Sequence, residues 1–130
     1  MFDVRVIAVV AVGAGIGGVL RLVFTQFVVA RFGVSLGFFA TLFINVSGSF
    51  LIGLTVESAQ IRADISPLWR YFIATGILGG YTTFSTFSFE ALSMSTAAMP
   101  ATAVFYVVSS VGLGIIGAFA GVATARAVVH

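Results

Sequence analysis

Gly79-Gly80-Tyr81-Thr82-Thr83-Phe84-Ser85-Thr86-Phe87-Ser88 lies in the middle of an otherwise apolar stretch, and its reading decides the fold. Paired glycines beside two threonines continue a helix poorly. Each glycine costs about 1 kcal/mol relative to alanine, and the threonine hydroxyls offer the backbone competing hydrogen bonds. A helix interrupted inside a bilayer leaves N–H and C=O groups unpaired, which is tolerated only where they are buried in protein or line a polar cavity. Half-helix ends carry partial charges and unwound carbonyls can coordinate a cation, so transporters and channels place ion sites at such breaks.

The surrounding chain has the composition of an integral membrane protein. Of its 130 residues 60% are hydrophobic and 8% charged, and the mean hydropathy is +1.20. Four apolar stretches are each long enough to cross about 30 Å of hydrocarbon as a helix. They run from about Val4 to Ala30, Gly37 to Val56, Trp69 to Ser93 and Ala101 to Ala125. The expected fold is therefore an all-α membrane protein of four transmembrane helices, the third broken mid-membrane. Short connections leave residues 1–130 as a single membrane domain. Residues 1–30 read as a retained span rather than a signal peptide: Asp3 sits beside Arg5, the apolar run is long, and no clear A-x-A cleavage site follows.

Charge is scarce. The arginines are Arg5, Arg21, Arg31, Arg62, Arg70 and Arg126, the acids Asp3, Glu57, Asp64 and Glu90, and there is no lysine. So small an excess is no sign of nucleic-acid binding. The absence of cysteine excludes disulfides, thiol nucleophiles and iron–sulfur clusters, and the single histidine, His130, argues against imidazole metal sites. Nothing resembles a nucleophile–base pair or a phosphate loop, so enzymatic activity has no support. With four spans, Arg5, Arg62, Arg70 and Arg126 fall on one side and Arg31 and Arg21 on the other. That bias slightly favours cytoplasmic termini and also permits insertion in both orientations.

Four such helices hardly enclose a pore alone, so self-association is expected. Small residues recur at Gly13-x-x-x-Gly17, Gly76-x-x-x-Gly80 and Gly117-x-x-x-Gly121. They read as helix-packing faces, within one subunit or, as favoured here, across a dimer interface. Thr41, Asn45 and Ser49 share one face of the second span, and Thr102, Tyr106 and Ser110 one face of the fourth. Interhelical hydrogen bonds would explain hydroxyls alone. Asn45, with two such stripes and a broken third helix in one chain, points further, to a wet path. Phe84 and Phe87 share a face after the break, among Thr83, Ser85, Thr86 and Ser88. Their rings are lipid or core contacts by default, but a positive ring edge can also attract an anion. Arg21 and Glu90, the charges nearest hydrophobic depth, either snorkel to the head groups or line water. Arg21 would concentrate anions at a pore mouth, whereas Glu90 would oppose them unless neutralised, for example by an arginine.

Taken together, Leu78 through Ser88, Gly17-Gly18-Val19-Leu20-Arg21 and Thr41-Leu42-Phe43-Ile44-Asn45 resemble the Fluc (CrcB) fluoride channels of bacteria, over nearly the full chain. The resemblance implies an antiparallel, dual-topology homodimer in the bacterial inner membrane. Two pores would export toxic cytoplasmic fluoride passively. It implies that Phe84 and Phe87 line the path, that the Asn45 amide faces the rings, and that Arg21 lies near a vestibule. A structural sodium ion at the dimer interface would rest on the backbone carbonyls of Gly79 and Thr82. The chain departs from the family pattern at Ala40, Tyr106 and Ser110, where a hydroxyl at the latter two still supplies a donor. The candidate fluoride path is thus Arg21, Asn45, Thr83, Phe84, Ser85, Thr86, Phe87, Tyr106 and Ser110, with fluoride, membrane lipid and a second copy as partners. A proton-coupled exporter of cationic compounds, which needs Glu90 as its acid, and a non-transporting assembly subunit are the competing readings.

Overall fold

The computed structural model describes residues 3–62 and 64–129, and His130 lies outside them. Among the described residues every regular element is helical. Helix α1 spans Val4–Phe32 and α2 spans Gly37–Ile61, joined by a 3-10 turn at Val34–Leu36. The third stretch comprises α3 (Pro67–Arg70), a π-helical segment Tyr71–Leu78, a single closing turn α4 (Gly79–Tyr81) and, beyond an interruption, α5 (Phe84–Thr96). Helix α6 spans Pro100–Val128.

Among the described residues three helical stretches are long and apolar enough to cross a membrane: Val4–Phe32, Val34–Ile61 and Pro100–Val128. At 29 residues, α1 and α6 are each about 43 Å long, more than the hydrocarbon thickness. The third stretch is divided between its half-helices. Its first half opens on Ser66, whose hydroxyl accepts from Leu68 N–H, with Pro67 at the first helical position.

The interruption falls three residues later than the paired glycines suggest. Gly79, Gly80 and Tyr81 are helical, whereas Thr82 (φ −76, ψ 156) and Thr83 (φ −150, ψ 117) are extended. Gly80 serves packing instead. A Cβ at Gly80 would run into the Ala14 carbonyl of α1, and one at Gly17 into the Ile77 carbonyl. Removal of both side chains lets the α1 and third-helix backbones touch.

The same holds for all three small-residue repeats. Gly13 and Gly17 face the third stretch, Gly76 and Gly80 face α1, and Gly117 and Gly121 face the Val46 and Phe50 carbonyls of α2. The expectation that these faces serve a dimer interface is therefore corrected: they join helices within one chain. Two tight pairs result, α1 with residues 71–81 and α2 with α6. The pairs meet each other less closely, and crevices remain between them.

Candidate functional site

Both threonines of the interruption end and restart a helix by their own chemistry. Thr82 N–H and the Thr82 hydroxyl both donate to the Leu78 carbonyl, at 3.0 and 2.9 Å, closing the first half. Thr83 Oγ1 accepts from Thr86 N–H at 3.3 Å and caps α5. Thr83 N–H, which no helix uses, and Thr83 C=O, which as the N-cap carbonyl also begins α5, are both met by one side chain. Asn45 Oδ1 accepts from Thr83 N–H at 2.8 Å, and Asn45 Nδ2 donates to Thr83 C=O at 3.0 Å. A peptide N–H can only donate, so this pairing also fixes which way the Asn45 amide points. One of its two N–H donors is left over.

Asn45 and the break form one wall of a cavity of about 370 Å³ between the two helix pairs. Gly48, Ser49, Thr82, Phe84, Phe87 and Ser110 also line it. The Phe84 and Phe87 ring centroids are 5.7 Å apart with planes at 50°. Phe87 is 8% exposed and Phe84 79%. The cavity thus has a packed back wall and a side, marked by Phe84, that the single chain leaves open. Ser110 Oγ is buried and has no hydrogen-bond partner among the described residues. An unsatisfied buried hydroxyl costs about 1–3 kcal/mol, which makes this donor a site feature requiring explanation.

One helical turn from Ser110 along α6, Tyr106 continues the polar line. Its ring lies 5.4 Å from that of Phe87, and its hydroxyl donates to Glu90 Oε2 at 2.6 Å. Thr41 donates to Glu90 Oε1 at 2.9 Å. The carboxylate is therefore held by two hydroxyls, from α2 and α6, and not by an arginine, the example the sequence reading offered. Neither partner was legible, since Thr41 and Glu90 are 49 positions apart. Ser85 and Thr86 are exposed and do not line the cavity; their hydroxyls lie 3.3 and 3.1 Å from that of Thr83. Ser47 and Tyr81, which the sequence reading did not single out, join their hydroxyls at 3.1 Å across α2 and α4.

The charge nearest the break is Arg21, whose Nη1 reaches the Thr82 carbonyl at 3.4 Å. The Gly79 carbonyl would ordinarily accept from Thr83 N–H, which goes to Asn45 instead. Both oxygens assigned to sodium by the resemblance thus have lone pairs that no helix uses. Neutral carbonyls at a half-helix end suit a hard monovalent cation, and two of them are an incomplete shell that a second copy would fill. The residues fit such an ion.

Apolar helices around a clamped, donor-lined break define a small multi-pass membrane protein built around a polar path. A family model described as "CrcB-like protein, Camphor Resistance (CrcB)" matches residues 8–122. A Rhizobium meliloti (strain 1021) protein named fluoride-specific ion channel FluC is 42% identical over 123 residues, covering 95% of this chain and 98% of its own length. Proteins of the same name from Roseiflexus sp. (strain RS-1) and Methylobacterium sp. (strain 4-46) are 44% and 46% identical. The alignments cover 92% and 94% of this chain and 96% and 94% of theirs. The chain belongs to the CrcB-like family.

Proposed function

We propose that this protein is a fluoride-selective channel that lets toxic cytoplasmic fluoride leave a bacterial cell passively across the inner membrane. The observation that carries the reading is the buried, unpartnered Ser110 hydroxyl opening on the same cavity as Phe84 and Phe87. Fluoride is small, strongly hydrated and a strong acceptor, so its passage needs close donors that replace water without holding the ion. Ser110 and the spare Asn45 N–H supply donors, and the ring edges supply weaker positive potential. Neutral donors release an ion more readily than a fixed lysine. The names of the relatives agree with this chemistry.

In the proposed arrangement the chain crosses the bilayer four times, the two halves of the third stretch together making one crossing. The exposed Phe84 ring and the open side of the cavity support closure by a second copy. An antiparallel pair with two pores follows if that copy is inverted, which the thin arginine bias allows. The Gly79 and Thr82 carbonyls would hold a structural sodium between the copies, whose charge would raise the potential felt by a passing anion. Arg21, beside Thr82, would concentrate anions near the path.

The test is anion efflux from liposomes holding the purified protein, under a potassium gradient with valinomycin. Rapid fluoride loss with negligible chloride loss is expected. No fluoride loss from folded, correctly assembled protein overturns the reading.

A further inference from the structure

The polar cavity at the break has a neighbour on the same face of α2. Asn45, Ser49, Ile52 and Val56 follow one another at helical spacing and share that face. The first three line the cavity that contains the Ser110 hydroxyl. Ile52 and Val56 line a second chamber of about 370 Å³, opposite Arg70, Tyr71 and Thr75 of the third stretch. Ile52 and Ala74 are walls of both. The two spaces therefore meet at an apolar neck. From Asn45 to Val56 the line is about 16 Å long, which carries it from the break toward the polar last turn of α2.

The chamber supplies donors that the protein itself does not use. The hydroxyls of Ser49, Thr82, Ser88, Ser93 and Thr124 each donate to the carbonyl four residues back. Thr75, in the π-helical segment Tyr71–Leu78, makes no such bond among the described residues. Its hydroxyl is free to meet an ion or water in the chamber.

Charge at this end of the molecule leaves one arginine over. Glu57, the residue after Val56, is taken by Arg126 at 2.7 Å, and Asp64 stands 3.6 Å from Arg62. Asp3 lies two residues from Arg5. Arg70 has no ion-pair partner among the described residues, and it is the one charged side chain on the chamber wall. A positive group at the outer end of a line of neutral donors favours an anion. At the inner end the line reaches Ser110, whose buried hydroxyl has no partner either.

We propose that this chamber is the anion-gathering mouth of the path on the Arg70 side, with Ile52 and Ala74 as the neck between it and the Ser110 cavity. For the identity of the ion the proposal rests on the channel reading. Arg70 draws a small hydrated anion to the chamber and Thr75 donates to it there. The neck, whose side chains offer no donor, passes it on to Ser110 and Asn45.

The chain has no cysteine, so Thr75→Cys gives the full-length protein a single thiol. Its modification by an anionic (sulfonatoethyl) and a cationic (trimethylammonioethyl) methanethiosulfonate would be timed by mass spectrometry in detergent. Arg70 is about 7 Å away along the helix. At that distance in water one charge changes each rate about two- to threefold, in opposite senses. Arg70→Gln should therefore lower the anionic-to-cationic rate ratio about fivefold at low salt, and by less at high salt. Complete modification of Thr75→Cys before reconstitution should slow fluoride efflux. Thr55→Cys, in the neighbouring crevice beside Trp69, is the control, and its modification should leave efflux unchanged. A rate ratio that Arg70→Gln does not alter, efflux undiminished by modification at Thr75→Cys, or equal slowing at Thr55→Cys would each overturn the proposal. The rate ratio is read without any flux, so protein that passes no fluoride before modification counts against the channel reading and not against the chamber.

Discussion

Asn45→Ala should separate a residue that merely faces the path from one that holds it together. Asn45 satisfies both Thr83 N–H and Thr83 C=O, at 2.8 and 3.0 Å. Alanine leaves Thr83 N–H without a partner at hydrocarbon depth, while Thr83 C=O keeps the helical bond it accepts as the N-cap carbonyl of α5. A buried group so orphaned costs about 1–3 kcal/mol, with a smaller loss for the second bond to Thr83 C=O. Water entering the adjoining cavity would bring the loss toward the lower figure. Unfolding by SDS in mixed micelles, followed by the fluorescence of Trp69, the only tryptophan, measures the loss. Ser49→Ala is the control: its hydroxyl only returns to the Asn45 carbonyl of its own helix, and its removal should stay within about 0.5 kcal/mol. Asn45→Asp keeps the acceptor, loses the donor and adds a charge worth about 2.5–3.5 kcal/mol at depth, so it should impair both stability and anion passage. An Asn45→Ala loss indistinguishable from that of the serine control would refute the clamp. If flux alone fell, Asn45 would act on the ion and not on the break.

Phe84→Ile and Phe87→Ile should each depress fluoride efflux from liposomes while the protein still assembles; undiminished flux in both would remove the rings from the path. Ser110→Ala should leave stability unchanged or slightly raised, because the hydroxyl is buried without a partner, yet slow fluoride loss; unaltered flux would mean the hydroxyl does not serve the ion. Gly17→Ala should destabilise by about 1–3 kcal/mol, since its Cβ meets the Ile77 carbonyl. Gly15→Ala, with nothing within 4 Å, should gain up to about 1 kcal/mol of helix stability, and equal behaviour of the two would contradict the packing described. Thorough sodium removal during purification should lower dimer stability or flux, and indifference to it would count against the Gly79 and Thr82 carbonyl site.

Hydropathy located α1, α2 and α6 to within a few residues but stopped early on α2. The apolar signal ends at Val56, whereas the helix continues to Ile61. Past the apolar run, polar residues still form helix, and Arg126 of α6 meets Glu57 there at 2.7 Å. The break was legible in kind because glycines and threonines both weaken a helix. Its position was not. Gly80 is held against α1 by close packing, a tertiary gain that outweighs its propensity, and the turn Gly79–Tyr81 stays helical. The repeats Gly13-x-x-x-Gly17 and Gly117-x-x-x-Gly121 announced close contacts without naming the partner, and the partners proved to be in the same chain. Glu90 was the least readable residue, because its hydroxyl partners come from two other helices.

The interruption at Thr82 and Thr83 links these observations physically. A helix broken in hydrocarbon is unstable unless each freed group finds a partner. Here Leu78 C=O is taken by Thr82, Thr83 N–H and C=O by Asn45, and the start of α5 by the Thr83 hydroxyl. Because Asn45 answers Thr83, the Gly79 carbonyl is released from its helical duty. The groups satisfied fix where Phe84 and Phe87 sit. Left over at the cavity are the Gly79 carbonyl, whose usual helical donor Thr83 N–H goes to Asn45, and the Ser110 hydroxyl, which has no partner among the described residues, an acceptor and a donor. The first can take only a cation or a donor. The second can donate to an anion. A chain with few charges thereby offers sites for both signs within one short segment, and loss of the Asn45 clamp should disturb the two together.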